Sequence, residues 1–255
     1  MKHIIFIVIT LLFSTVVFAQ SIEDITWNTE EYPPYNYSEN GVATGIAVEL
    51  LVAMWKKAGV AKTPKDINVL PWARGVNNLE NNPGSCLFST TITPKRQHEL
   101  GYKFVFPIPQ VSEDSGNHII ARKSKNIKIN AINDLKAHKI GVVSKDVGQS
   151  LIEAAKVSAS NIDKCNNGNT LVKKLKKGRY DIISYGFSTA VNKMKEEGVD
   201  PSEFEIVYTF PPLPMGYAFH KDTDPNLLKM FQAILDGLHK DGTAETILKK
   251  YLNKE

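Results

Sequence analysis

Apolar runs of strand length alternate with amphipathic helical segments in two separate passages of the chain, and that rhythm restricts the fold to the α/β class with largely parallel sheets. In the first passage Ile22 to Asn28 reads as a strand, Gly45 to Ala58 as a helix stopped by Gly59, and Ile67 to Leu70 as a second strand. Ile46, Leu50, Val52, Ala53 and Trp55 make the inward face of that helix. A short helix to Glu80 follows, then Cys86-Leu87-Phe88 as a buried strand after the turn Asn81-Asn82-Pro83-Gly84. The hydroxyl-rich Ser89 to Thr93 is expected to leave the sheet, with Pro94 opening the next helical turn. After Tyr102 to Pro107 the chain becomes irregular, and His118 to Ala121 is a lone strand-like run that carries it into a second unit. There the rhythm restarts: strand Ile140 to Val143, a helix from near Leu151, strand Tyr180 to Ser184, and a helix Phe187 to Lys195. Val207 to Phe210 and Gly216 to Phe219 read as strands around Pro211-Pro212-Leu213-Pro214, and two closing helices span Leu227 to Leu238 and Thr243 to Leu252.

Several chemistry-bearing residues fall at the carboxyl ends of these strands, the edge where open α/β sheets take their ligands. Ser89, Thr90, Thr91 and Arg96 leave one strand end together, and the planar guanidinium of Arg96 suits a carboxylate or another flat anion. The alternative is that Thr91 and Thr93 only cap the following helix while Arg96 lies on its solvated face. Glu31-Tyr32-Pro33-Pro34-Tyr35-Asn36-Tyr37 cannot hold regular structure, so Tyr32, Tyr35 and Tyr37 either wall a ligand or cover a core edge. Trp72 and Arg74 leave the second strand at the same edge; they offer a flat indole and a second guanidinium, or else a core anchor and a local ion pair. In the second passage the backbone of the turn Ser144 to Ser150, with Asp146, Val147 and Gly148, can hold an anion.

Lys2 precedes an apolar and small-residue run, Ile4 to Phe18, that ends in Val17-Phe18-Ala19, the pattern of a cleaved export signal over residues 1–19. The run is shorter than the roughly 20 residues that span a bilayer, so a periplasmic soluble protein is expected. The residue directly after the cleavage site is Gln20 and not a cysteine, which argues against a lipid anchor. The formal charge of +4 is spread among interleaved acids and bases. The run Lys173-Lys174-Leu175-Lys176-Lys177 alternates around Leu171, Val172 and Leu175 at helical spacing, so it reads as a solvated helix face and not as a nucleic-acid stripe. Cys86 and Cys165 are expected as two buried free thiols, and the scattered histidines give no metal-ligand spacing. No cofactor is expected.

Gly45-Ile46-Ala47-Val48-Glu49-Leu50, the Ser89 to Arg96 pattern S/T-x-T-x-T-P-x-R, Gly178-Arg179-Tyr180-Asp181-Ile182-Ile183, Gly216 to Phe219 and Leu238 to Thr243 with Tyr251-Leu252 occur in the order found in one family. Through them the chain resembles family 3 solute-binding proteins, the periplasmic receptors of polar amino-acid ABC importers. The resemblance implies a two-lobed periplasmic-binding-protein fold (type II) with a ligand cleft between lobes joined by two hinge strands. Lobe one would hold residues 20–117 and 220–255, and lobe two the inserted residues 118–219, with hinges near His118 to Ala121 and Tyr217 to Phe219. It also implies that Arg96 clamps a ligand carboxylate, that Thr91 and the Ser89 backbone meet its polar head, and that the Tyr32 to Tyr35 loop lines the cleft. The family's ammonium-binding acid has no counterpart here, since Tyr185, Gly186 and Phe187 occupy its neighbourhood; Asp146 either supplies that charge or caps a helix.

The function expected from this is a monomeric, non-enzymatic receptor that closes on a small carboxylate-bearing or amino-acid-like metabolite and hands it to ABC importer membrane subunits. A sensor ectodomain is the alternative partner. A cyclohexadienyl-dehydratase-like enzyme would need a general acid in the cleft, for which Glu31 and Asp146 are the candidates. A hydrolase would have to use Gly186-Phe187-Ser188-Thr189-Ala190 as a nucleophile elbow that lacks its last glycine, with a distant His220 or His239.

Overall fold

The computed structural model describes residues 21–111 and 116–252. The expected export signal lies outside these residues. The chain begins with β1 (Thr26–Thr29), the hairpin β2 (Tyr37–Glu39) and β3 (Val42–Thr44), α1 (Ile46–Ala58), β4 (Ile67–Val69), α2 (Trp72–Asn81), β5 (Ser85–Thr91) and β6 (Lys103–Val105). It continues through β7 (Asn117–Arg122), β8 (Ile140–Val143), α3 (Val147–Ala154), β9 (Ile162–Cys165), α4 (Gly168–Lys176), β10 (Ile182–Gly186), α5 (Phe187–Glu196) and β11 (Phe204–Thr209). It ends with β12 (Met215–Phe219), α6 (Pro225–Lys240) and α7 (Thr243–Leu252).

These strands form two five-stranded sheets, ordered β4-β1-β5-β12-β6 and β11-β7-β10-β8-β9. In the first, β1 runs parallel to β4 and β5, and β12 is antiparallel to β5 and β6. In the second, β8 runs parallel to β9 and β10, and β7 is antiparallel to β10 and β11. Parallel neighbours align their carboxyl ends, so each sheet offers one edge of loops to the space between the halves.

The strands His118 to Ala121 and Tyr217 to Phe219, expected as hinges, each lie within one sheet. β6 ends in the first sheet at Val105 and β7 opens in the second at Asn117, and the chain returns through residues 210–214, so β12 already belongs to the first sheet. Prolines explain both crossings: Pro107 and Pro109 in one and Pro211, Pro212 and Pro214 in the other cannot donate to a ladder. Two further expectations shift. β5 runs on through Thr91, and α3 starts at Val147 instead of near Leu151, because Asp146 Oδ1 accepts the Val147 N–H at 2.6 Å.

Each half has its own core. In the first, Trp27 of β1 meets Trp55 of α1 edge-on at 5.4 Å, Phe219 of β12 edge-on at 5.8 Å, and stacks on Phe231 of α6 at 5.6 Å. The C-terminal helices therefore complete the half that the N-terminal strand begins. The second core gathers Ile119, Ile140, Val142, Ile152 and Ile182. A third cluster joins Trp72, Leu79 and Leu87 of the first half to Val143, Leu175 and Tyr185 of the second. Cys86 and Cys165 are buried free thiols, one in each sheet.

Candidate functional site

A crevice of about 750 Å³, counted out to its open mouth, lies where the strand ends of the two sheets face each other. Glu30, directly after β1, and Ser89 and Thr91 of β5 line it from the first half. Asn117 of β7, Asp146 and Val147 at the start of α3, and Gly186 to Thr189 at the start of α5 line it from the second. Tyr32 and Tyr35 wall it, stacked on each other at 5.6 Å.

β5 presents its hydroxyls through a bulge. Gly216 pairs with Thr90 and Ala218 with Leu87, so Phe88 and Ser89 together oppose Tyr217. Ser89 takes a φ of 57°, a conformation uncommon for a residue with a side chain, and its hydroxyl donates to Asn36 Oδ1. Asn36 Nδ2 in turn donates to the Glu30 carbonyl at 2.7 Å, which ties the loop after β1 to the bulge. Thr90 points the other way: it is 1% exposed and donates to the Leu87 carbonyl at 2.8 Å.

Arg96 is buried, in the seam beside the crevice and not among its lining residues. Its Nη1 donates to the Thr91 carbonyl at 2.8 Å and its Nη2 to the Lys145 carbonyl at 3.3 Å, so one guanidinium joins both halves. The Trp72 ring lies beneath it, 5.4 Å from Cζ to centroid. Trp72 itself is buried in the shared cluster and does not line the crevice. Arg74 departs from expectation altogether: it lies on the exposed face of α2, away from the crevice, because α2 begins at Trp72 and turns the next guanidinium outward. Tyr185 also faces away, with its ring edge-on to Tyr32 at 5.9 Å and its hydroxyl against Gly168. Gly148 lets α3 approach β10, since a Cβ there would come 2.6 Å from the Ser184 carbonyl oxygen.

Other contacts between the halves surround the crevice. Lys145 Nζ donates to Asn77 Oδ1 at 2.6 Å and to Glu80 Oε2 at 2.9 Å, both on α2. Thr189 Oγ1 donates to the Pro33 carbonyl at 3.1 Å. At Gly186 a Cβ would overlap the Tyr32 hydroxyl.

The acid missed from sequence is Glu30. Glu31, the expected one, accepts the Ser38 N–H at 3.1 Å and lies outside this crevice. Successive residues at a strand end point to opposite sides, so a one-residue difference decides which carboxylate enters. Burial raises the Glu30 pKa well above the ordinary range, and the neighbouring Asp146 adds to the rise. Burial raises Asp146 as well, opposed by Arg96 and by the Val147 N–H.

The chain is similar to known binding proteins over most of its length. The probable amino-acid-binding protein YxeM of Bacillus subtilis (strain 168) is 25% identical over 230 residues, which cover 87% of this chain and 81% of that protein. The structure of an ancestral arginine-binding protein bound to glutamine matches with a TM-score of 0.71 and 26% identity, covering 89% of this chain and 97% of that one. The ancestral amino-acid-binding protein AncCDT-1, a precursor of cyclohexadienyl dehydratase, shares the fold with a TM-score of 0.68 at 21% identity, over 89% and 94% of the two chains. The model of the bacterial extracellular solute-binding proteins, family 3, matches residues 25–254, and the chain belongs to that family.

Proposed function

We propose that this protein is an extracytoplasmic receptor that closes on a small amino-acid-like metabolite bearing a carboxylate and delivers it to an ABC importer. The observation that carries the reading is Arg96, a buried guanidinium held by carbonyls from both halves beside a crevice lined by hydroxyls and carboxylates. Three of its five N–H donors remain after those two bonds, enough for a bidentate carboxylate. Ser89 and Thr91 add hydroxyls, and Tyr32 and Tyr35 an apolar wall. Relatives described as binding an amino acid, arginine or glutamine support the ligand class. Titration calorimetry against an amino-acid panel, with small-angle scattering for closure, tests it: neither heat nor compaction with any amino acid rejects the receptor.

One observation favours a second reading. A carboxyl whose pKa burial raises well above the ordinary range, as it does for Glu30, is the kind of general acid that a dehydratase would need. Turnover of prephenate by the purified chain, lost in Glu30→Gln, would establish that activity; absence of turnover leaves the receptor.

A further inference from the structure

A carboxyl taken out of water ordinarily keeps an ion pair or hydrogen bonds, because an isolated buried charge is costly. Glu30 is 7% exposed and aimed into the crevice, yet its side chain has no hydrogen-bond or ion-pair partner among the described residues. The two cations whose fields reach it are committed elsewhere. Lys193 Nζ donates to the two Glu196 carboxylate oxygens at 3.3 and 3.1 Å, and Arg96 donates to the carbonyls of Thr91 and Lys145. Asp146, on the other half, lines the same crevice and repels Glu30.

The end of β10 offers no alternative site for an acid. Gly186 stands there, and the Tyr32 hydroxyl fills the space a side chain would need. With Lys193 neutralised by Glu196, two carboxyls, Glu30 and Asp146, line the crevice, and the one further cation whose field reaches Glu30 is Arg96 in the seam beside it. A solute with one anionic and two cationic groups balances that set.

We propose that Glu30, with Asp146 opposite, is the counter-charge for a cationic group of the bound solute, so that the crevice selects net-positive amino acids over neutral and acidic ones. This deepens the receptor reading and rests on it. The cation restores to Glu30 the favourable field that burial removed and so favours its charged form. Selectivity thus comes from a group placed to be unsatisfied in the empty protein.

Titration of the full chain with L-arginine, L-lysine, L-glutamine and L-glutamate tests the inference, with scattering to report closure. Arginine or lysine should bind at least about tenfold more tightly than glutamine and glutamate, and Glu30→Gln should lose at least about tenfold for the cationic ligand. Glutamine is close in shape to glutamate, so the variant should melt cooperatively; Asp146→Asn, made in parallel, should weaken the same ligand. If glutamine or glutamate binds as well as arginine and lysine, or Glu30→Gln binds arginine and lysine unchanged, the inference is overturned and the receptor reading stands. If none of the four binds, the inference falls, and the receptor reading falls with it only when the rest of the amino-acid panel gives neither heat nor compaction.

Discussion

The hydroxyl of Tyr32 occupies the space that a Cβ at Gly186 would need, so the two halves meet where one of them has no side chain. Tyr32 cannot easily withdraw, because it stacks on Tyr35 at 5.6 Å and is edge-on to Tyr185 at 5.9 Å. Gly186→Ala should therefore fold normally and close poorly. Overpacking typically costs about 1–3 kcal/mol, so ligand binding should weaken by about five- to 150-fold. Calorimetry reads the loss, scattering reads the wider halves, and Tyr32→Ala in the same chain should restore closure.

Lys145 reaches across the halves to Asn77 and Glu80, and its carbonyl accepts from Arg96. The Lys145 side chain is 40% exposed and that of Glu80 29%, so water and salt screen the pair. An exposed ion pair is worth about 0.2–1 kcal/mol. Lys145→Ala should thus weaken ligand binding by no more than about fivefold, and the difference from the parent should vanish at high salt. A larger loss that persists at high salt would mean that the turn itself has rearranged.

The strand-helix rhythm made the two sheets legible from sequence, because buried runs such as Cys86-Leu87-Phe88 and Ile140 to Val143 have one plausible use. Gly59, expected to stop α1, does so in the left-handed conformation at φ 72°. What composition and spacing concealed was direction. Thr90 and Tyr185 lie next to crevice residues in sequence and turn away from the crevice in space, and Trp72 and Arg74, which follow a strand of the same sheet, do not line it either. Glu30 was hidden by the same cause, since the phase of a strand end depends on a register that only pairing fixes. The passages between the sheets carry Pro107 and Pro109 after β6 and Pro211, Pro212 and Pro214 before β12, where a ladder cannot continue.

Glu30 gives the stability of the empty protein a pH dependence with a definite sign. Its folded pKa lies well above the ordinary 4.5, so between those two values the folded state keeps a proton that the unfolded chain has lost. That contribution is full below about 4.5 and disappears as pH rises through the folded value. Asp146 acts in the same direction from 3.8, with Arg96 and the Val147 N–H opposing it. The other charges that act on Glu30 are Lys193, Arg96 and Glu31. Thermal melts of the ligand-free protein should show stability falling from mildly acidic to neutral pH, and Glu30→Gln should flatten that slope. A parent whose melting point is as high at neutral pH as at mildly acidic pH, with Glu30→Gln following the same curve, contradicts this assignment.

Phe231 tests whether the last helices belong to the half that the first strand starts. The residue is fully buried on α6, stacked on Trp27 of β1 at 5.6 Å and edge-on to Phe219 of β12 at 6.2 Å. Phe231→Ala removes a ring that joins α6 to the distant β1 and to the preceding β12, and such truncations cost about 3–5 kcal/mol. The second core, built from Ile119, Ile140, Val142, Ile152 and Ile182, does not include this residue. Urea unfolding followed by Trp fluorescence should therefore shift strongly, because Trp27, Trp55 and Trp72 all sit in the first half. Amide exchange in β8 and β10 should change much less than in β1 and β12. Equal loss of protection in all four strands would mean that the protein unfolds as one body and that its halves share a single cooperative core.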